Sequence, residues 1–370
     1  MKLRTLLVVM ALSLTICLGV RATQAVEPVG AVYTMSNAAD GNGVLVFKRR
    51  SNGRLEPASV FATGGLGTGG GLGNQSAVVL DQSGRWLFVV NAGSHEISSF
   101  EVHAEGLQHL ETIASGGFRP ISLALHDHLL YVLHAGGNIG EVDNITGFRV
   151  RPNGTLMPLS DSTQPLSEAG TDPAQIAFTP DGSILVVTEK STNRLVTYTV
   201  GSNGRPGEPT IHDSAGITPF GFAFGKRSQL FISEAFGGAP NASAVSSYTV
   251  SSQGDLQVIS PSVGTTQTAA CWVVVTNDGR FAYVTNTGSG SISSYEIRFD
   301  GSLTLLNAVA AETGPGSGPI DVDLTHDGRF LYALASAGGK IDGFRVQARG
   351  GLTPLPGVEV PTSSNGLAAR

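Results

Sequence analysis

A short phrase recurs seven times along this chain, about every 50 residues, and this period limits the possible folds more than any other feature. Each copy has an aromatic residue in a short β-rich run, followed by a turn that contains glycine. The aromatic residues are Phe47, Phe100, Phe148, Tyr198, Tyr248, Tyr295 and Phe344, and the turn glycines are Gly53, Gly106, Gly154, Gly204, Gly254, Gly301 and Gly350. A fixed period of this length, built from short strands, is typical of a β-propeller with one sheet per repeat.

Each repeat also has an internal order that predicts four antiparallel strands. An apolar run ends in a tight turn, as at Asp181-Gly182, Asp278-Gly279 and Asp327-Gly328, and a second apolar run follows at once. Asp-Gly between two β-rich runs is a strong hairpin signal, because the turn requires positive φ. The aromatic strand and a fourth run complete the repeat. The chain is therefore predicted to be an all-β, seven-bladed β-propeller with four antiparallel strands per blade.

The two ends of the repeat region predict how the ring closes. Residues 31–35 read as a second strand with no inner strand before them, and residues 365–369 read as an isolated inner strand. We expect these N- and C-terminal strands to pair within one blade, which removes free sheet edges. Residues 26–370 then form one propeller domain.

Residues 1–25 have the pattern of a secretory signal peptide. Lys2 and Arg4 precede the apolar residues 6–20, and a small-residue cleavage site ends at Ala25. Its removal takes three of the 23 basic residues and leaves all 29 acidic ones, a net charge near −9. This charge argues against nucleic acid and anionic membranes as partners. We expect a secreted or periplasmic monomer that is not inserted in a membrane after signal removal.

Three other sequence patterns are better explained by a structural role than by a role in binding or catalysis. The run from Gly65 to Gly70 satisfies G-x-G-x-x-G but is followed by a strand pattern, so it is predicted to be an inter-blade loop. Cys271, the one cysteine after the signal, lies in an apolar run and is predicted to be a small buried residue. His126 and His128 fall at a turn position, which favours exposed turn residues over a metal site.

The strongest functional signal is a set of polar residues at equivalent places in the repeats. In every blade the second strand should end at the face opposite the Asp-Gly turn, beside the start of the inner strand. Polar groups that converge on a propeller mouth form a default small-ligand pocket, although such groups also cap strands and bind channel water. The strand ends are Asn37, Asn91, His134, Glu189, Glu234, Asn286 and Ser336, and the inner-strand starts add Arg119, Asp172, Phe220, Trp272 and Asp321.

The chain resembles the lactonase family of seven-bladed propellers. The resemblance is carried by residues 187–193, 219–224, 232–235, 245–248 and 270–276. That family includes propeller-type 6-phosphogluconolactonase and carboxy-muconate cyclase. In the cyclase branch a His, two Arg and a Glu handle the substrate. The resemblance assigns Glu234 to that Glu and His134 to that His, while Arg119 and Arg194 are candidates for the arginines, without a secure pair.

We predict a secreted or periplasmic hydrolase that opens a small sugar-derived or carboxylated lactone at the channel mouth. Ring opening needs a base for water and a group that stabilises the oxyanion. Glu234 and Glu189 are predicted as base and partner, and Lys190, His134 and Asn286 as groups that polarise the carbonyl. No cofactor is required. As a variant, Asn91, Asn286, Glu189 and Glu234 could jointly hold a divalent cation such as Ca²⁺.

Two alternatives stay open at this point. A non-catalytic extracytoplasmic propeller could bind a protein or glycan with its long mouth loops, residues 64–74 and 136–144. Trp272, at the start of an inner strand, either stacks on a sugar-like ring as a pocket wall or wedges between blades. We predict the pocket wall, together with substrate contacts from Asn91, Arg119, Lys190, Arg194, Phe220 and Asn286.

Overall fold

Seven antiparallel sheets form a closed ring in the structure, a computed structural model that describes residues 28–370. The seven innermost strands contact one another in a circle around the central axis. The predicted seven-bladed β-propeller is confirmed. The predicted signal peptide, residues 1–25, lies outside the described residues.

The strands of the first three blades in chain order have these bounds. Blade 1 contains β1 (Gly30–Met35), β2 (Gly43–Arg49), β3 (Leu55–Ala62) and the last strand of the chain, β29 (Asn365–Ala369). Blade 2 contains β4 (Val78–Leu80), β5 (Trp86–Asn91), β6 (Glu96–His103) and β7 (Gly106–Ala114). Blade 3 contains β8 (Pro120–His126), β9 (Leu129–His134), β10 (Asn144–Val150), β11 (Leu156–Pro158) and β12 (Gln164–Pro165).

The remaining four blades each have four strands. Blade 4 contains β13 (Pro173–Phe178), β14 (Ile184–Glu189), β15 (Arg194–Thr199) and β16 (Thr210–Asp213). Blade 5 contains β17 (Pro219–Phe224), β18 (Gln229–Glu234), β19 (Ala244–Val250) and β20 (Leu256–Gly264). Blade 6 contains β21 (Ala270–Val275), β22 (Phe281–Asn286), β23 (Ser291–Ile297) and β24 (Leu303–Glu312), and blade 7 contains β25 (Pro319–Leu324), β26 (Phe330–Ala335), β27 (Lys340–Val346) and β28 (Leu352–Glu359).

Helix is confined, among the described residues, to two 3-10 turns at Gly136–Ile139 and Phe236–Gly238. Both follow the second strand of their blade, on the face that carries the starts of the inner strands. Within residues 28–370 no helix has the length and apolar character needed to cross a bilayer.

The outer edge of blade 3 departs from the predicted four strands because its last strand is broken into β11 and β12. Each piece ends in a proline, Pro158 and Pro165, and proline cannot donate to a strand ladder. Between the two pieces, the Ser162 hydroxyl replaces a backbone acceptor of the strand ladder and accepts a hydrogen bond from Gly147 N at 2.9 Å.

The ring closes in blade 1, where β29 pairs with β1. Val32 lies opposite Ala369 and Met35 opposite Asn365 in this antiparallel pair. The predicted closure by N- and C-terminal strands is therefore confirmed.

The free edge of the closing strand is held from blade 7. The carboxylate of Asp321 accepts from Leu367 N at 3.1 Å, and that of Asp323 accepts from Ala369 N at 2.8 Å. Burial raises the pKa of both aspartates, that of Asp323 to about 7. Two buried carboxyl groups therefore fasten the strand that completes the ring.

The repeated turn glycine has a packing reason as well as a backbone one. Gly53 has φ of 88°, which favours glycine, and a Cβ there would overlap the ring of Phe330 in the neighbouring blade. The carbonyl of Gly53 also accepts from the hydroxyl of Tyr332 at 2.6 Å. The same close approach to an aromatic second strand recurs at Gly154 against Trp86 and at Gly350 against Phe281.

Candidate active site at the channel mouth

The residues that precede the inner strands have an unusual backbone conformation. Arg119, Asp172, Thr218 and Ala269 all have positive φ, between 48° and 57°. Such conformations cost about 1–3 kcal/mol each for non-glycine residues, persist only where the surroundings fix them, and cluster at functional sites. The carbonyl of each accepts from the residue that follows the second strand of its blade, with donors Ala135, Lys190, Ala235 and Thr287 at 2.9–3.2 Å.

Three of these blades open onto one pocket at the mouth of the channel. The mouth pocket has a volume of about 550 Å³. Its lining consists of Gly71, Leu72, Gly73, Arg119, Asp172, Lys190, Ser191, Thr218 and Phe220. The predicted site residues Arg119, Lys190 and Phe220 therefore come together, beside Asp172.

Lys190 is the most buried charged group of this pocket. Its Nζ donates to Gly73 O at 2.7 Å and Pro173 O at 3.2 Å, and it lies 3.3 Å from Asp172 Oδ1. The ammonium also sits 4.8 Å from the centre of the Phe220 ring. Burial lowers the pKa of Lys190, while Asp172 opposes that effect. Because three acceptors surround the ammonium, Lys190 stabilises the arrangement of the segments that line the pocket.

The floor of the pocket is a piece of the chain that fills the propeller axis. In this crossing segment, residues 72–76, Leu72 N donates to Asn365 of blade 1 and Gln75 N donates to Ala174 O of blade 4. The side-chain amide of Gln75 bonds both Val273 O and Val273 N of blade 6, at 3.2 and 3.3 Å. The channel is therefore closed on its axis, and the mouth pocket is blind.

Folding of this segment into the axis differs from the expectation that residues 64–74 would form an outward mouth loop. The glycine-rich part, Gly65 to Gly70, does lie in the predicted loop between β3 and β4. Beyond it the buried side chains of Leu72, Asn74 and Gln75 favour the interior over solvent.

Trp272 lies beneath this floor and does not line the mouth pocket. It is 3% exposed, and its indole N–H donates to Asn74 O at 2.5 Å. Its ring contacts Phe220, 5.1 Å away between ring centres. Phe220 lines the pocket and Trp272 packs behind it, so contact between Trp272 and a substrate stays a prediction. Neighbouring Cys271 is buried as predicted, and burial raises its pKa to about 12.

The two candidate arginines have different surroundings. The Arg119 Nε is buried and lacks a hydrogen-bond partner among the described residues, in a side chain that lines the mouth pocket. Arg194 instead pairs with Glu168 at 3.0 Å, outside the residues that form the pocket. Of the two, Arg119 can reach a bound molecule.

Glu189 and Glu234 have no exposure and do not line the mouth pocket. Glu189 accepts from the backbone N–H and the hydroxyl of Ser167, and from Thr192 Oγ1 at 2.6 Å. Glu234 accepts from the hydroxyls of Ser246 and Ser262. Burial raises the pKa of Glu234. Both carboxylates are therefore bonded to protein donors away from the mouth pocket, and their roles as base and partner stay predictions.

The other predicted strand-end residues are buried in the same way. Asn91 donates to Ser98 Oγ at 2.7 Å, and Asn286 donates to Ser293 Oγ at 2.9 Å. His134 Nε2 lies 3.0 Å from Ser115 Oγ, and burial lowers the pKa of His134 to about 4. These polar residues tie the second strand of a blade to its third strand, as Asn91 and Asn286 do, or to the connection from the preceding blade, as His134 does.

This arrangement also bears on the predicted cation. Asn91, Glu189, Glu234 and Asn286 stand in four different blades. The side-chain oxygens of the first three accept from protein donors, those of Asn91 being Asn42 and Thr63, while Asn286 Oδ1 is buried without a partner among the described residues. Within residues 28–370 no group of three or more His, Cys, Asp or Glu side chains is arranged to hold a metal ion.

Comparison with known proteins shows which family part of the chain resembles. The model of the family described as "Lactonase, 7-bladed beta-propeller" matches residues 241–364. The predicted resemblance to the lactonase propellers is confirmed. Among curated protein sequences, none matches the chain.

Solved structures of other proteins share the fold over nearly the whole chain. A candidate 6-phosphogluconolactonase from Bacteroides fragilis superposes with a TM-score of 0.72 at 19% identity, covering 92% of this chain and 98% of that one. The periplasmic gluconolactonase of Pseudomonas aeruginosa gives 0.71 at 17% identity, with coverage of 92% and 98%. At these identities the likeness shows the fold alone.

Proposed function

We propose that this protein hydrolyses a small lactone in the mouth pocket. The observation that carries the proposal is the blind pocket in which Asp172 and Arg119, both on backbone of positive φ, stand beside Lys190. The lactonase family match and the names of the two solved neighbours, both lactonases, support the reaction class.

Asp172 is the group best placed to act as base. Its side chain is 39% exposed, so water reaches it, and Lys190 fixes its Oδ1. A carboxylate in this position can take a proton from water as the water oxygen attacks the lactone carbonyl carbon. When the ring C–O bond breaks, the same proton can pass to the leaving alkoxide, which becomes the hydroxyl of the product acid.

Arg119 is the group best placed to stabilise the oxyanion. Its guanidinium carries donors in a planar fork that suits an anionic oxygen, and its side chain lines the mouth pocket. Fixed donors aimed at a developing charge lower the barrier most in a site from which water is partly excluded. Phe220 adds a half-buried apolar wall for the substrate ring.

The setting proposed for this reaction follows from the sequence. The signal-peptide pattern of residues 1–25 supports a secreted or periplasmic enzyme, and one solved neighbour is described as periplasmic. We propose a monomer that acts on a small sugar-derived or carboxylated lactone and binds neither nucleic acid nor membrane.

The test is hydrolysis of a lactone panel by the wild-type protein and by Asp172→Asn and Arg119→Gln. Each variant should lower kcat/KM by about 100-fold or more. Matched controls are Asp161→Asn, an exposed aspartate of positive φ paired with Arg205, and Arg194→Gln, whose partner is Glu168. Both controls should keep wild-type rates.

Two results would count against the proposal. Wild-type protein that turns over no lactone of the panel would favour the non-catalytic alternative, in which the propeller binds a protein or glycan. Equal rates for all four variants would leave hydrolysis standing but move it out of the mouth pocket.

A further inference from the structure

One loop next to the mouth pocket is fastened by a buried carboxylate. Asp143, only 1% exposed, is the last residue of the loop between β9 and β10. Its Oδ1 accepts from Gly137 N at 2.7 Å, within the same loop. Its Oδ2 accepts from Thr171 N at 2.8 Å and from Thr171 Oγ1 at 2.9 Å, in the next blade. The carboxylate thus bonds the loop to the residue directly before Asp172.

The other end of this loop is bonded to the second ionic residue of the pocket. Ala135, where the loop begins, donates its N–H to Arg119 O at 3.0 Å. A single loop therefore links the backbone of Arg119 to the backbone that precedes Asp172. Both residues have positive φ, a conformation that needs surrounding contacts to persist.

The same place in blade 5 shows what a purely structural contact looks like. Ser243, the residue before β19, bonds Thr265 Oγ1 and Gln267 O, each at 2.8 Å, and so fixes the approach to Ala269. Ala269 has the same positive φ but lies outside the mouth pocket. In blade 3 the hydroxyl is replaced by a carboxylate, and hydrogen bonds to a charged acceptor are roughly twice as strong as neutral ones.

We infer that Asp143 is a positioning residue, which fixes Asp172 relative to Arg119 for the reaction in the mouth pocket. The inference rests on the proposed function of that pocket. Asp143 itself does not line the pocket, so it would act on the reaction only through the residues that it holds. A displacement of a reacting group by about 1 Å costs on the order of 100-fold in rate, so the carboxylate matters through geometry.

The test compares Asp143→Asn and Asp143→Ser with the matched control Ser243→Ala. In Asp143→Asn the side-chain NH₂ group would face the N–H groups of Gly137 or Thr171, which are themselves donors. Asp143→Ser places at this position the hydroxyl group that Ser243 has in blade 5. We expect kcat for lactone hydrolysis to fall about 10- to 100-fold in Asp143→Asn, with KM within about twofold and a smaller loss of kcat in Asp143→Ser. Ser243→Ala should lower the melting temperature by about as much as Asp143→Asn does, and it should leave kcat unchanged.

Hydrogen exchange supplies a second readout that needs no activity. The N–H groups of Gly137 and Thr171 should exchange about 10-fold faster or more in Asp143→Asn and keep wild-type protection in Ser243→Ala. Unchanged protection in Asp143→Asn, or faster exchange with an unchanged kcat, would overturn the inference. A wild-type protein without lactonase activity would instead overturn the proposed function, and exchange alone would then decide whether Asp143 fixes Asp172.

Discussion

The indole N–H of Trp272 donates to the carbonyl of Asn74 across 2.5 Å, joining blade 6 to the segment that fills the propeller axis. The next residue back, Gly73, accepts from Lys190 of blade 4. The floor of the mouth pocket is therefore fixed from two sides of the ring.

Replacement of Trp272 by Phe tests this link. The substitution removes the donor to Asn74 O and leaves a buried carbonyl unpaired, which should lower the free energy of unfolding by about 1–3 kcal/mol. KM should change less than threefold, since Phe220 is the residue that lines the pocket. Denaturant unfolding and steady-state kinetics measure the two effects, with Phe220→Leu as the variant expected to raise KM. A raised KM at unchanged stability in Trp272→Phe would restore Trp272 as a pocket wall.

The Glu234→Gln variant tests the carboxylate first predicted as the base. Because its partners are the hydroxyls of Ser246 and Ser262 and it does not line the pocket, we expect kcat to stay within about threefold of wild type. Stability should fall by about 1–3 kcal/mol, because an amide cannot accept from both hydroxyls as the carboxylate does. A 100-fold loss of kcat without loss of stability would reinstate Glu234 as the base.

Asp323 should make the free energy of unfolding fall as pH rises. Its pKa is about 7 in the folded protein and 3.8 as the ordinary value, so the folded state holds the proton more tightly. The contribution to stability is complete below about pH 4 and is lost as pH rises toward 7, with a slope of about 1.4 kcal/mol per pH unit at most. Denaturant unfolding at several pH values measures this slope. In Asp323→Asn the slope between pH 5 and 7 should be smaller; an equal slope would contradict the assignment.

His134 should act in the opposite direction. Burial lowers its pKa from 6.5 to about 4, so the unfolded chain binds the proton more tightly. The stability that depends on the neutral imidazole is present above about pH 6.5 and is lost as pH falls toward 4. The acid limb of the unfolding curve should be shallower in His134→Gln than in wild type. An unchanged acid limb would show that the imidazole is not held neutral by burial.

Gly53→Ala, compared with Gly41→Ala, tests the repeated turn glycine. At Gly53 the new Cβ would overlap Phe330, and its positive φ adds about 1–2 kcal/mol, so a total loss above about 2 kcal/mol is expected. At Gly41 nothing lies within 4 Å of the new Cβ. That control should change stability by less than about 0.5 kcal/mol, and equal melting temperatures for the two variants would argue against the packing reason.

Sequence alone predicted the fold because its determinants are local and repeated. Asp-Gly hairpins and alternating apolar runs each act within one blade, the turn glycines recur at a fixed place in the repeat, and seven copies leave little choice of architecture. The closing strand was predictable because one repeat lacks its inner strand at the start of the propeller and the chain supplies one at the end. The break in the outer strand of blade 3 follows from Pro158 and Pro165. A prediction from the repeat alone does not take these two prolines into account.

The site was predicted only in part because side-chain direction depends on contacts between blades. Strand ends and strand starts were placed at the correct face, which brought Arg119, Lys190 and Phe220 together. The direction of the Glu189 and Glu234 side chains depends on hydroxyl partners in other strands and loops, such as Ser262. The sequence repeat does not reveal these partners. Asp143 was passed over because its importance comes from Thr171, one blade away.

The crossing segment separates the two faces of the propeller, so that a small molecule bound at one face has no path along the axis to the other. A molecule that enters the mouth pocket cannot pass to the face with the Asp-Gly turns, because residues 72–76 occupy the axis. If the proposed hydrolysis takes place in this pocket, substrate and product share one opening, and a product that leaves slowly excludes the next substrate molecule. A ligand on the far face would bind without competing for that entrance.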